Sequence, residues 1–296
     1  KLTNKNDCIK NGYIQNNQNP LEVAAKQLKK DGINILHTIG GDDTNTTAGD
    51  LVKYLDKNNY KLTVVGLPKT IDNDVYPISL TLGAITAAKQ TAHFFQNIVN
   101  ENTTSSRQLI IHEVMGRNCG WLTAKSADIY KKEIDTKLFL PEISFVKNKW
   151  DIHAIYIPEL VIDINKEINR LNKIMDKYDC VNIFLSEGAG IDSIIDDMNK
   201  QNISIPMDAF GHVRLDEINP GEWFAKKLKS GLKADKVLVQ KSGYFARSAA
   251  ACKEDLDVIF KSVNIAIESA LKGQSGVIGF DEEQNNELRC INFNRI

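Results

Sequence analysis

Residues 33–44 read Ile-Asn-Ile-Leu-His-Thr-Ile-Gly-Gly-Asp-Asp-Thr, a β-prone run followed by two glycines, two acids and a hydroxyl residue. The apolar run predicts a buried strand over Ile33–Ile39, because short runs of this kind bounded by turn signals are typical of parallel sheets. Gly40 and Gly41 predict a turn, and the acids after them suit the first turn of a helix, where free N–H groups favour negative charge. The stretch therefore predicts a strand–turn–helix unit with its turn at the carboxyl end of the strand.

The same cycle recurs along the chain, and strands that alternate with helices imply parallel sheets with right-handed crossovers. The fold class is therefore predicted to be α/β. Residues 1–19 are polar and predict a loop, and a helix is predicted to begin after Asn19-Pro20. Further strands are predicted at 62–67, 109–114, 153–157, 181–185 and 236–239, and further helices at 82–99, 121–129, 163–177 and 254–271.

The composition excludes several classes of partner. The formal net charge of −1 predicts no general attraction to nucleic acid or to an anionic membrane surface. No apolar run approaches the roughly 20 residues of a membrane span. The five cysteines are scattered without a C-x-x-C pair, which argues against a disulfide framework or a zinc site and favours a reducing, cytoplasmic compartment.

The segment Gly40–Thr44 offers groups for binding a phosphate. Two glycines let the backbone approach an anion closely, and the following helix start adds N–H groups and the positive end of a dipole. One of its carboxylates could hold Mg²⁺, which prefers a few carboxylates together with substrate phosphates. An ordinary glycine turn with an aspartate cap explains the segment equally well.

The segment Pro68–Asp74 is more informative. Lys69 is a point charge suited to phosphate, and Asp72 and Asp74 could divide the work of accepting a proton and contacting a metal-bound water. A solvated loop rich in Asp and Asn is the alternative. Two acids and a cation directly behind a buried strand favour the functional interpretation.

Further turns offer groups for anions and sugars. Gly116 and Arg117 combine backbone access with a planar guanidinium, Glu187 could accept hydrogen bonds from sugar hydroxyls, and Arg247 could bind a second phosphate. The run Gly188–Ser193 only nearly matches a dinucleotide fingerprint, because serine replaces the third glycine. No G-x-x-x-x-G-K-[ST] motif is present, so the chain is not a P-loop enzyme, and of the five histidines only His212 is singled out.

Taken together, these segments resemble the phosphofructokinase family, and within it the pyrophosphate-dependent 6-phosphofructokinases. The resemblance covers nearly the whole chain and keeps the order and spacing of its motifs. These are Gly-Gly-Asp-Asp-Thr at 40–44, Pro-Lys-Thr-Ile-Asp-Asn-Asp at 68–74, Met-Gly-Arg at 115–117, Ser-Glu-Gly-Ala-Gly at 186–190 and Gly-Tyr-Phe-Ala-Arg at 243–247.

The resemblance implies a role for each matching residue. Asp42 would bind Mg²⁺, and Asp72 would take the proton from the sugar 1-hydroxyl with support from Lys69, Thr70 and Asp74. Pyrophosphate would be bound by Gly41, Asp43 and Lys69. Fructose 6-phosphate would be held by Thr70, Asp72, Asp74, Met115, Gly116, Arg117, Glu187, Tyr244 and Arg247, with Arg107 offered as a contact to a sugar phosphate of a neighbouring subunit.

The resemblance also implies the choice of phosphoryl donor. Asp43 and Lys69 stand where ATP-using relatives carry glycine. A carboxylate at 43 would repel the α-phosphate of ATP, by roughly 4 kcal/mol for unit charges ~4 Å apart near a protein surface. An ATP-dependent phosphofructokinase is the rival enzyme, and a catalytically silent subunit that binds sugar phosphate is the alternative from another class.

Two Rossmann-like lobes with the site in the cleft between them are implied by the resemblance, with the chain acting as a homodimer. The predicted donor lobe comprises residues 1–104 with 252–289, and the predicted sugar-phosphate lobe comprises 105–251. Family members begin with a strand and a glycine-rich loop, which this sequence is expected to lack.

Overall fold

The computed structural model describes residues 4–207 and 213–296. In chain order its helices and strands are α1 (Lys5–Lys10), α2 (Pro20–Lys30), β1 (Ile35–Gly40), α3 (Asp42–Lys57), β2 (Thr63–Pro68), α4 (Ala84–Ile98), β3 (Gln108–Val114), α5 (Trp121–Ile134), β4 (Ala154–Tyr156), α6 (Ile164–Tyr178), β5 (Cys180–Ser186), α7 (Ile191–Lys200), α8 (Leu215–Ile218), α9 (Pro220–Leu232), β6 (Lys236–Lys241), α10 (Gly243–Arg247), α11 (Lys253–Leu271), β7 (Gly276–Asp281) and β8 (Glu287–Ile291).

The chain divides into two compact units, Lys1–Ile85 with Ala251–Ile296 (unit 1) and Thr86–Ala250 (unit 2). The sequence placed the first boundary between residues 104 and 105, whereas the compact units divide between Ile85 and Thr86, near the start of α4. This is because Phe95 of α4 packs among rings of unit 2, at 4.6 Å from Phe184 between ring centroids. The assignment of a donor lobe and a sugar-phosphate lobe stays a prediction.

Unit 1 contains a four-stranded sheet in the order β1-β2-β7-β8. Strands β1, β2 and β7 are parallel, and β8 returns antiparallel to β7. Apolar side chains of α2 and α3 form one core cluster with β2 and β7 residues, and Ala266 and Ala270 of α11 belong to a separate cluster that includes Val65 and Leu67 of β2. The helix predicted after Asn19-Pro20 is confirmed: the Asn19 side chain accepts the Leu21 N–H at 2.9 Å.

Unit 2 contains a second sheet in the order β4-β5-β3-β6, in which all strands are parallel. Every residue of β3 and β5 is buried. One core cluster joins apolar side chains of these strands to α6 and α9. A second group of rings contacts β3, where His112 lies 4.7 Å from Phe184 and 5.6 Å from Phe95 between ring centroids. The predicted α/β class with parallel sheets is confirmed.

Some local predictions were wrong. Residues 5–10 form a helix, because the Asn4 side chain caps it by accepting the Asp7 N–H, whereas the sequence predicted a loop. Strand β1 is not buried along its length: alternate residues such as Ile39 are exposed, so one face of this edge strand is left uncovered. Strands β7 and β8 were not predicted. Among the described residues, no helix combines the length and apolarity that a membrane crossing requires.

Candidate active site

The turn between β1 and α3 presents its acids at the start of a helix. Gly41 precedes α3 with φ −78° and ψ −162°, so Asp42 and Asp43 occupy the first helical turn, and both residues are exposed. The N–H groups of a first turn have no acceptor within their own helix. The turn therefore offers a positive dipole end beside two carboxylates.

The loop after β2 lies against this turn. The Lys69 N–H donates to the Gly40 carbonyl oxygen at 2.7 Å, and β1 and β2 pair in parallel with Gly40 opposite Pro68. A methyl group on Gly41 would lie 3.6 Å from Thr70 Cβ. The two segments that the sequence singled out for the phosphoryl donor are therefore neighbours at the carboxyl ends of the unit 1 strands. This side of the sheet is called the unit 1 edge below, and the corresponding side of the other sheet is called the unit 2 edge.

Hydrogen bonds within the loop fix its shape. Thr70 Oγ1 accepts the Asp72 N–H at 3.2 Å, and the Thr70 carbonyl accepts from the buried Thr81 hydroxyl at 2.8 Å. Asn73 has φ +56°, a left-handed conformation that asparagine tolerates better than most residues, and its Oδ1 accepts the Thr81 N–H at 2.7 Å. Thr81 was not singled out from the sequence, because nothing in the residues around Thr81 distinguishes it from an ordinary loop threonine.

The charges at this edge repel each other. The pKa of Asp74 is raised because the carboxyl is partly withdrawn from water and because Asp42 and Asp43 add negative charge nearby. No cluster of three or more His, Cys, Asp or Glu side chains suited to a metal occurs within 4–207 and 213–296. The acidic edge fits a Mg²⁺ ion held by one or two carboxylates and completed by substrate phosphate oxygens.

In unit 2, the turn after β3 is fixed by the end of β5. The Ser186 hydroxyl donates to the Gly116 carbonyl at 2.6 Å, and the Gly116 N–H donates to Glu187 Oε1 at 3.3 Å. Gly116 has φ +130°, where a Cβ would lie 2.5 Å from the Cys119 carbonyl oxygen. Glycine is therefore required at 116, and one Glu187 carboxylate oxygen faces the turn.

Gly188 interlocks with the same turn. A Cβ on Gly188 would lie 1.7 Å from the Arg117 carbonyl oxygen, so the two backbones meet without space for a side chain. The Glu187 N–H donates to the Val114 carbonyl at 2.8 Å. The Met-Gly-Arg and Ser-Glu-Gly-Ala-Gly segments are thus brought together, and the exposed Arg117 side chain extends from their junction.

The segment after β6 is the third part of this edge. A Cβ on Gly243 would lie 3.2 Å from Met115 Cε, so Met115 packs against the start of α10. The Arg247 guanidinium lies 5.9 Å from the centroid of the Tyr244 ring, and the exposed fraction of Tyr244 is 73%. An exposed cation and an exposed phenol thus lie beside the Met115 turn.

Arg107 is not brought to this edge. It precedes β3, at the opposite end of the strand, and its guanidinium donates to Asp176 Oδ1 at 2.8 Å and to the Leu232 and Lys233 carbonyls at 2.6 and 2.9 Å. These bonds join the ends of α6 and α9, and the contact of Arg107 with a sugar phosphate of a neighbouring subunit stays a prediction. His212 lies outside the described residues.

Comparison with known proteins identifies the family. The sequence profile described as "Phosphofructokinase" matches residues 8–258. Two curated relatives carry the name pyrophosphate–fructose 6-phosphate 1-phosphotransferase. That of Methylomonas methanica is 53% identical over 296 residues, and that of Methylotuvimicrobium alcaliphilum is 54% identical over 296 residues. Each match covers 100% of this chain and 72% of the relative.

A solved structure supports the same fold. The pyrophosphate-dependent phosphofructokinase of Marinobacter aquaeolei matches with a TM-score of 0.63 at 22% identity. The match covers 91% of this chain and 60% of that one. This chain therefore spans less than two thirds of the length of that solved protein.

Proposed function

The chain belongs to the phosphofructokinase family, and we propose that it transfers a phosphoryl group reversibly between pyrophosphate and the 1-hydroxyl of fructose 6-phosphate. The names of relatives more than 50% identical over the whole chain support this reaction. The observation that carries the proposal in the structure is the 2.7 Å bond from the Lys69 N–H to the Gly40 carbonyl. This backbone bond holds the loop that carries Lys69, Asp72 and Asp74 against the helix start that carries Asp42 and Asp43.

Asp72 is the proposed base. It accepts the proton of the sugar 1-hydroxyl as that oxygen forms a bond to one phosphorus of pyrophosphate. The bond between this phosphorus and the bridging oxygen breaks, and the bridging oxygen leaves with inorganic phosphate. Thr70 supports Asp72 through its 3.2 Å contact with the Asp72 amide, and Asp74 carries a raised pKa beside it. Positioning and charge stabilisation dominate reactions of this kind.

Pyrophosphate would be bound by the Gly41 turn and by Lys69, whose exposed ammonium offsets phosphate charge. Asp42 would hold Mg²⁺ together with phosphate oxygens, since members of the family generally depend on a divalent metal ion. When bound, the ion supplies positive charge that stabilises the transferring phosphoryl group. Asp43 is proposed to disfavour ATP by repelling its α-phosphate.

The residues proposed to bind fructose 6-phosphate are Thr70, Asp72 and Asp74 of unit 1 and, within unit 2, the residues at the edge described above. Met115 and Gly116 supply a fixed surface, and Glu187 is proposed to accept hydrogen bonds from the sugar hydroxyls. The cations and the phenol at this edge would bind its phosphate. They are Arg117, Tyr244 and Arg247.

A coupled assay that compares pyrophosphate with ATP at equal concentrations tests the proposal. Turnover with fructose 6-phosphate and pyrophosphate is expected, with Lys69→Ala weakening pyrophosphate use at least tenfold. Lys53→Ala, an exposed lysine on α3, is the matched control and should behave like the wild type. Faster turnover with ATP would favour the ATP-dependent alternative, and sugar-phosphate binding without turnover would favour a silent subunit.

A cytoplasmic homodimer is part of the same proposal. The five cysteines are scattered along the sequence without a C-x-x-C pair, which suits a reducing compartment. Sedimentation of the purified chain would test the dimer, and a single monomeric species at micromolar concentration would contradict it.

A further inference from the structure

Asn45 lies in the first turn of α3 and has no role in the reaction described above. It is fully buried, with an exposed fraction of 0%. Its Nδ2 donates to the Gly40 carbonyl at 3.1 Å and to the Gly41 carbonyl at 2.9 Å. The orientation of the amide follows from this contact, since two carbonyl oxygens accept hydrogen bonds from an NH₂ group but not from an oxygen.

The bonds of Asn45 reach the second donor segment through one shared atom. The Gly40 carbonyl accepts from Asn45 Nδ2 and also from the Lys69 N–H at 2.7 Å. Asn45 therefore fixes the direction of the carbonyl on which the Lys69 backbone depends. The carboxylates of Asp42 and Asp43 and the ammonium of Lys69 extend from the two sides of this junction.

The other end of the amide fits against a glycine in β2. A Cβ on Gly66 would lie 2.6 Å from Asn45 Oδ1, so only glycine at 66 leaves space for the side chain. Glycine in a buried strand weakens the strand, and Asn45 Oδ1 has no hydrogen-bond partner among the described residues. A strand glycine and a buried amide oxygen without a hydrogen bond, each unfavourable for stability, thus contact each other. Such costs are expected where the position of a side chain serves function.

We infer that Asn45 is a positioning residue for pyrophosphate and that glycine at position 66 leaves the space that the Asn45 side chain occupies. The amide sets the turn that carries the acids against the loop that carries Lys69. The inference rests on the proposed function for the identity of the ligand. Its local part, the link from Asn45 to the Lys69 amide, does not depend on that function.

The first experiment compares wild type with Asn45→Ala, which removes both donors without adding charge. The dissociation constant for pyrophosphate in the presence of Mg²⁺, measured by calorimetry, is expected to rise at least tenfold. The KM for fructose 6-phosphate should change less than twofold. Hydrogen exchange at the Lys69 amide should accelerate at least tenfold, because its acceptor is no longer held.

The second experiment uses Gly66→Ala and the double variant. Gly66→Ala should weaken pyrophosphate binding as Asn45→Ala does, because the new Cβ displaces the amide. The double variant should be within twofold of Asn45→Ala alone, since the shortened side chain at position 45 leaves room for the added methyl group. Gly49→Ala is the control, because Gly49 lies on the same helix as Asn45 but its Cβ would contact the Phe293 ring, at 3.3 Å, and not the Asn45 amide. Pyrophosphate binding by this variant should stay within twofold of wild type.

Unchanged pyrophosphate binding in Asn45→Ala, unchanged exchange at Lys69, or fully additive effects in the double variant would each overturn the inference. An equal rise in the KM for fructose 6-phosphate would reduce Asn45 to a general structural residue and overturn it as well. If the wild-type chain binds pyrophosphate but transfers no phosphoryl group, the proposed reaction is overturned and the inference on Asn45 is not. Pyrophosphate binding and hydrogen exchange at the Lys69 amide then still test the role of Asn45.

Discussion

The edge of the unit 1 sheet and the edge of the unit 2 sheet are built differently. At the unit 1 edge, the groups that matter are charged side chains on an exposed helix start and an exposed loop, such as Asp42, Asp43 and Lys69. At the unit 2 edge, backbones interlock at Gly116 and Gly188, where a Cβ would lie 2.5 Å or less from a carbonyl oxygen. The first edge therefore presents exposed charged side chains, whereas the second holds its exposed side chains on closely packed backbone.

The strands that lead to these edges differ in how deeply they are buried. Strand β1 of unit 1 is an edge strand with its alternate residues exposed, whereas β3 of unit 2 is buried at every position. The same residue type therefore meets two environments: His37 on β1 is exposed and His112 on β3 is fully buried. Paired substitutions can separate the two designs.

The largest effect is expected at the charged edge. Asp72→Asn keeps the shape of the side chain but removes the proposed base, so turnover should fall by about 10²–10⁴ in the coupled assay, with the melting temperature nearly unchanged. Asp56→Asn, an exposed residue at the far end of α3, is the control. Near-normal turnover of Asp72→Asn would remove Asp72 from the base role.

The next largest effect is expected on the free energy of unfolding at acid pH, through His112 in the buried strand β3. Burial lowers the pKa of His112 to about 3, below its ordinary value near 6.5. The unfolded chain therefore binds more protons between these pH values, and stability falls as pH drops through this window. The loss between pH 6.5 and pH 4 should be about 3 kcal/mol smaller in His112→Phe than in wild type.

Urea denaturation at both pH values measures this difference. His37→Phe is the matched control on the exposed strand, and its loss of stability should equal that of wild type. An equal loss in His112→Phe and wild type would show that the His112 ring is not responsible for acid instability.

At the interlocked edge, Gly188→Ala should raise the KM for fructose 6-phosphate about tenfold and lower the melting temperature. The reason is that its Cβ would lie 1.7 Å from the Arg117 carbonyl oxygen, and forced overpacking costs about 1–3 kcal/mol. Gly243→Ala is the milder partner, because the flexible Met115 side chain can move away. Equal effects of the two variants would contradict a rigid contact at Gly188.

The smallest effect is expected for the choice of donor. Because Asp43 is exposed, water screens its repulsion of ATP toward about 1 kcal/mol at ~4 Å, below the value expected near a less solvated surface. Asp43→Gly should therefore improve ATP as a substrate or inhibitor by about fivefold. The ratio of kcat/KM for ATP and pyrophosphate is the measurement, and an unchanged ratio would refute exclusion by charge.

The sequence was most informative where local signals agreed with the fold. A β-prone run, two glycines and two acids predicted the β1–α3 turn. The resemblance implied that Lys69 acts together with Gly41 and Asp43, and the pairing of β1 with β2 sets the Lys69 backbone beside that turn. The helix after Asn19-Pro20 was predicted for the same reason, since its cap and its proline act locally.

The rest depends on contacts between distant residues. Nothing near Asn45 indicates that its amide binds two carbonyls of the preceding turn, and nothing near Gly66 indicates that an oxygen occupies the space of its missing side chain. The exposure of alternate residues of β1 depends on which face of the strand the helices cover, and the local pattern does not decide this. The hydrogen bonds of Arg107 likewise depend on α6 and α9, which come much later in the chain.

The interlock of Gly116 and Gly188 has a consequence for how the sugar preference of this scaffold could change. Neither turn can accept a larger residue without moving backbone, so natural or directed variation has little to work with there. Exposed side chains on α10, above all Tyr244, can be exchanged without disturbing the strands beneath them, whereas Ala246 of the same helix is buried. A search for variants that accept a different phosphorylated sugar should therefore randomise Tyr244 and its exposed neighbours on α10 and leave Gly116 and Gly188 unchanged.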